Sequence, residues 1–132
     1  MVAPPSLATM GDERFVSLTT FRKSGEPVST AVWIGRDGDA VIVITPEASG
    51  KVKRLRNNPR VELRPCNRFG KVADGANPVM GTAEILSDAA RESRLTKIIR
   101  DKYGLEYRLV MGVERLLKRG NSQRLILRIT AA

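Results

Sequence analysis

Residues 28–45 read VSTAVWIGRDGDAVIVIT, and this stretch decides the fold class. In VSTAVWIGR (28–36), Val28, Thr30, Val32 and Ile34 share one face, and Ser29, Ala31 and Trp33 share the other. That alternation is the period of a β-strand. Asp37-Gly38-Asp39 carries the Asp-Gly signal of a tight hairpin turn. AVIVIT (40–45) is continuously apolar, as in a central strand covered on both faces. Upstream, RFVSLTTFR (14–22) is rich in β-formers, and KSGEP places Gly25 and Pro27 in a turn. Two successive hairpins make an antiparallel meander.

Beyond residue 45 the period changes. Ser49 is a candidate N-cap for a short helix over SGKVKRLRNN, with Val52 and Leu55 facing inward. Asn57-Asn58-Pro59 stops it, because a residue before proline avoids helical geometry. RVELRPC (60–66) and PVMGTAEIL (78–86) read as strands, with Pro65 marking an edge or an end. A helix is expected from Asp88 to about Tyr103, striped by Leu95, Ile98, Ile99 and Tyr103, with Gly104 at its C′ position. A second helix is expected over 105–119, with Leu105, Leu109, Val113, Leu116 and Leu117 along one side. QRLILRIT closes as a last strand. Six strands with mostly local connections predict one mainly β domain over residues 1–132, a six-stranded antiparallel barrel with short flanking helices.

Composition narrows the chemistry. The 132 residues contain no histidine and a single cysteine, Cys66. Zinc sites lose their usual ligands, Ser-His and Cys-His catalysis is excluded, and no internal disulfide can form, so no metal site is expected. Any chemistry must then rest on a bound cofactor, or on carboxylates, lysines and tyrosines, and no catalytic side chain stands out. The N-terminal residues do not read as a signal peptide and no run is long enough to span a membrane, so a cytoplasmic location without membrane contact is expected. The net charge is +9, and from Lys51 to Lys71 eight basic residues face one acid, Glu62. Such a surface attracts anions.

The chemistry concentrates in Thr45-Pro46-Glu47-Ala48-Ser49-Gly50-Lys51-Val52-Lys53-Arg54-Leu55-Arg56. Two hydroxyls, a glycine and several cations gather at a helix N-terminus, where free N–H groups and the dipole favour an anion such as phosphate. On the residues alone, the alternative is that Ser49 merely caps while Lys51, Lys53, Arg54 and Arg56 face water.

The pattern T45-PEA-S49-G-K51-V-K53-R-L55-RN-N58-P59-R60-V61 resembles the signature of the pyridoxamine-phosphate-oxidase-like, FMN-binding split-barrel superfamily. GEPVSTAVWI (25–34) is similar to that family's second strand, with Ala31 in place of its usual proline and Ile34 in place of its phenylalanine. LTKIIRDKYGLEYRLVMGVERLL and RLILRIT resemble an actinobacterial branch that uses the deazaflavin coenzyme F420. The resemblance implies a six-stranded antiparallel split β-barrel. It also implies a homodimeric oxidoreductase that transfers hydride between F420, or alternatively FMN, and a small-molecule substrate at the dimer interface. It places Thr45, Ser49 and Lys51 at the cofactor phosphate with Lys53 in support. It also implies that Val32, Trp33 and Ile34 lie along the ring, partly through backbone contacts, and that Arg54 and Arg56, with Arg60 beyond them, meet the anionic tail that F420 carries and FMN lacks.

Two rivals use the same features. A nucleic-acid-binding small barrel would exploit the charge, but the six aromatic residues do not form a stacking platform. A non-enzymatic cofactor carrier is the other, since a fold does not fix a function.

Overall fold

The computed structural model of the chain describes residues 6–46, 49–86, 89–109 and 124–131. The strands are β1 (Val16–Phe21), β2 (Pro27–Val32), β3 (Gly35–Asp37), β4 (Ala40–Pro46), β5 (Arg60–Pro65), β6 (Val79–Leu86) and β7 (Arg124–Ala131). The helices are α1 (Leu7–Met10), α2 (Gly50–Asn57) and α3 (Ala89–Tyr103). Residues 105–109 are also helical; the remainder of the helix expected to residue 119, and Asp88, lie outside the described residues.

The strands form one antiparallel sheet in the order β2-β1-β5-β6-β7-β4-β3. Its two edges, β2 and β3, are consecutive in sequence and joined only by Trp33 and Ile34. The sheet must therefore curl until its edges approach, which gives a barrel split between β2 and β3. This explains why seven strands form rather than six. The alternating stretch 28–36 cannot stay one strand, because Val32 ends the ladder with β1 while Gly35 opens the ladder with β4.

Val16 and Leu18 of β1, Val41 and Val43 of β4, and Leu127 and Ile129 of β7 fill the interior. Burial of such side chains contributes roughly 1.5–3 kcal/mol each. Helix α1, which the sequence reading did not foresee, places Leu7 and Met10 in this core behind a Ser6–Thr9 capping box. On the outer face, Leu95, Ile99 and Tyr103 of α3 cover Ile42 and Ile126, as the helical stripe predicts. Gly104 ends α3 in the left-handed conformation at φ 54°. Leu105 and Leu109, by contrast, are exposed. The hairpin turn is also as expected, with Asp37 opposite Ala40 and Gly38 at φ 62°.

Asp37 ties β3 to the rest of the molecule through Arg94 of α3 and Arg128 of β7, both at 3.2 Å. Burial by itself raises the Asp37 carboxyl, but the two guanidinium groups outweigh it and hold the group below the ordinary aspartate range. A depressed carboxyl stabilises the fold above its unfolded-state value, about 3.9, and the contribution is lost as pH falls through the folded value. Asp37→Asn is expected to cost about 1 kcal/mol at neutral pH, since Arg94 is largely solvated, and the difference should vanish in acid. Urea melts of both proteins at neutral and acid pH measure it.

Candidate functional site

An open cleft of about 270 Å³ lies beside the split. One wall is apolar: Phe15, Ala31, Val32 and Trp33, with Ile44 and Tyr107. Thr45 and Pro46, at the end of β4, carry the wall to Lys51 in the first turn of α2. Arg68 and Arg124 add two further cations to the lining. No carboxylate lines the cleft among the described residues.

The local sequence explains this corner. Thr45 is buried, and its hydroxyl lies 3.1 Å from the hydroxyl of Ser49. Ser49 occupies the N-cap position but makes no side-chain capping bond, so its oxygen serves Thr45 rather than the helix. Residues Gly50–Asn57 bring no acid to the first turn. Helix N-termini are ordinarily satisfied by a cap or a carboxylate. Here cations crowd the end instead: Lys51 stands in the first turn, and a Cβ on Gly50 would meet Nη1 of Arg54 at 2.7 Å. Burial, and then the charge of Arg54, push the Lys51 ammonium down. Burial, and then Arg22, do the same to Arg54. An electropositive pocket with two hydroxyls and a helix N-terminus that the Ser49 side chain does not cap suits a phosphate.

The structure brings Val32, Trp33, Thr45 and Lys51 together in the cleft, with Ser49 directly behind Thr45. The side chain of Ile34 points into the barrel core. Lys53 and Arg54 line a separate cationic concavity of about 460 Å³ with Arg22 and Lys23, and Arg54 bonds Thr20 at 2.6 Å. Arg56 is exposed near the far end of α2. Phe15, Ile44, Arg68, Tyr107 and Arg124 were not foreseen as lining residues. Only Arg68 carried a signal, its place in the basic run; the others arrive by strand register and by the turn after α3. Cys66 is partly buried, and burial raises its thiol above the usual range.

A family model described as pyridoxamine 5'-phosphate oxidase matches residues 7–132. The chain belongs to that family. No curated protein matches it significantly. Among solved structures, a conserved hypothetical protein of Mycobacterium tuberculosis is similar at 25% identity and a TM-score of 0.65, over 96% of this chain and 81% of that one. An F420 reductase aligns at 19% identity and a TM-score of 0.61, covering 98% and 96% of the two chains. An FAD-binding protein of Mesorhizobium loti aligns at 15% and 0.60, covering 92% and 82%. The pyridoxamine 5'-phosphate oxidase family and these likenesses agree on a split-barrel fold. Among the described residues no helix is long and apolar enough to cross a membrane, and no group of acidic or sulfur side chains could hold a metal ion.

Proposed function

We propose that this pyridoxamine 5'-phosphate oxidase family member is an oxidoreductase that binds coenzyme F420 in the Trp33–Lys51 cleft. It would transfer hydride between that coenzyme and a small organic substrate, as a cytoplasmic homodimer with the cleft at its interface. The observation that carries this reading is the juxtaposition of an apolar wall, Ala31 to Trp33, with the cationic corner at Thr45, Ser49 and Lys51, where the Ser49 side chain does not cap the helix end. The similarity to an F420 reductase and the basic surplus favour the deazaflavin over FMN, which remains the second reading because the same corner would hold its phosphate.

When bound, the coenzyme supplies the hydride chemistry. The chain's residues bind and orient it. One hydroxyl of the Thr45–Ser49 pair would donate to a phosphate oxygen while the other holds it in place, Lys51 would supply a charge, and Lys53 would add a longer-range one. Trp33 and Val32 exclude water along the ring. The concavity of Arg22, Lys23, Lys53 and Arg54, with Arg56 beyond it, offers charges to an anionic tail that leaves the cleft across α2. Exposed Phe69, Leu105 and Leu109 give a second copy apolar surface to cover.

Trp33 is the only tryptophan, so its fluorescence reports the cleft alone. Titration is expected to show quenching by both compounds and tighter binding of F420 than of FMN. Equal or tighter FMN binding would reverse the ranking. Absence of binding by either would remove the oxidoreductase and cofactor-carrier readings together and favour the nucleic-acid alternative.

A further inference from the structure

Trp33 and Ile34 sit where the sheet is split, and neither neighbouring ladder reaches them. The β1–β2 ladder ends at Val16 opposite Val32, and the β3–β4 ladder begins at Gly35 opposite Ile42. Ile34 is fully buried, so its N–H and C=O need partners from elsewhere. Both come from the last turn of α3. The Ile34 N–H donates to the Tyr103 hydroxyl at 2.9 Å. The Ile34 carbonyl accepts from the Lys102 ammonium at 2.7 Å. The Tyr103 hydroxyl has one proton of its own, and the shorter of its two donor contacts, 2.7 Å, runs to the Arg14 carbonyl. Lys102 also donates to the carbonyls of Gly11 and Glu13. Two side chains thus bind the split to the segment leading into β1.

The same tyrosine sets the neighbouring residue. Its ring stacks on Trp33 at 4.5 Å between centroids and 15° between planes. Tyr107 leans on Trp33 at 6.3 Å and 35°. Tyr103 does not line the cleft, whereas Trp33 and Tyr107 do. Trp33 is therefore a panel with Tyr103 behind it. Without a ladder to fix its backbone, its position depends on that stack and on the anchored peptide of Ile34.

We propose that Tyr103 and Lys102 are positioning residues that fix Trp33 as the wall of the cleft, and so set the shape of the surface on which a planar ring is held. That a ring lies there rests on the proposed function; that Tyr103 and Lys102 hold Trp33 does not. The arrangement needs a neutral phenol, which can accept from one backbone group and donate to another. Burial foremost raises the Tyr103 hydroxyl, to about 12, so it keeps its proton across the physiological range.

The test uses Tyr103→Phe, which keeps the stacked ring and removes the hydroxyl, and Lys102→Met, which withdraws the ammonium from the carbonyls of Ile34, Gly11 and Glu13 and leaves Tyr103 in place. Acrylamide quenching of Trp33 in the ligand-free protein is read first, then binding of FMN and F420. Quenching is expected to rise about twofold or more in both variants, and affinity for the bound compound to fall about three- to tenfold, the equivalent of roughly 0.7–1.4 kcal/mol. If Tyr103→Phe does not fold, Lys102→Met alone decides. Variants that melt earlier yet quench and bind like the parent overturn the proposal, because that pattern is a stabilising role only. If quenching rises in the variants while the parent binds neither compound, the positioning role stands and the functional reading fails.

Discussion

Lys51→Ala is expected to weaken coenzyme binding about ten- to a hundredfold, and Lys97→Ala to leave it nearly unchanged. Both variants lose one positive charge, so the comparison separates a site from diffuse attraction. Lys51 is half-buried in the first turn of α2, beside Thr45 and the uncapped helix end. Its ammonium is pushed down by burial and by Arg54, which means its charge is poorly compensated until an anion arrives. A charge-assisted hydrogen bond contributes about 1.5–3 kcal/mol, which sets the predicted range. Lys97 is exposed on the outer side of α3, away from the cleft. Isothermal titration with F420 at two salt concentrations measures the difference. Equal weakening in both variants, with binding abolished by added salt, would reduce the basic face to a solvated surface.

The same corner shows what the sequence could and could not reveal. Thr45, Ser49 and Lys51 are close in the chain, and the spacing that resembles the family signature is enough to bring them together. Lys53 and Arg54 are equally close in sequence, yet α2, whose successive residues are rotated by about 100°, sets them beside Arg22 and Lys23 instead. The basic run also divides on folding: Arg60 and Arg64 pair with Glu62, and Arg60 lies over the Phe21 ring at 4.7 Å. Strands were legible because alternation is local. The break at Trp33–Ile34 was not, because it arises from two edges meeting, a property of the closed sheet rather than of any window of residues. Phe15 and Arg124 reach the cleft for the same reason, through register with distant strands; Arg124, for example, stands opposite Pro46. Helix α1 was overlooked although Ser6 and Thr9 carry a capping pattern, because four residues are too few to show a helical period.

Gly35→Val is expected to destabilise the fold by about 1–3 kcal/mol, the usual cost of forcing volume into a packed site. Gly35 opens β3 and is buried. A Cβ there would meet Cδ1 of Ile99 at 2.9 Å, Cγ2 of Ile98 at 3.1 Å and Cγ1 of Ile42 at 3.2 Å. Its backbone is not in the left-handed region, so the glycine is required by the close approach of α3 rather than by a turn. The first of these contacts is the end of a flexible side chain and could shift, but valine adds two further methyl groups against all three isoleucines. Relief requires α3 to move outward, and α3 carries Lys102 and Tyr103 at its end. The effect should therefore reach the cleft, one residue past Ile34, as greater exposure of Trp33. Urea unfolding followed by Trp33 fluorescence reads both consequences: a lower midpoint at an unchanged slope, and a red-shifted native emission. An unfolding free energy within about 0.5 kcal/mol of the parent's, as for a surface substitution, would show that α3 does not press on β3 as closely as its contacts indicate.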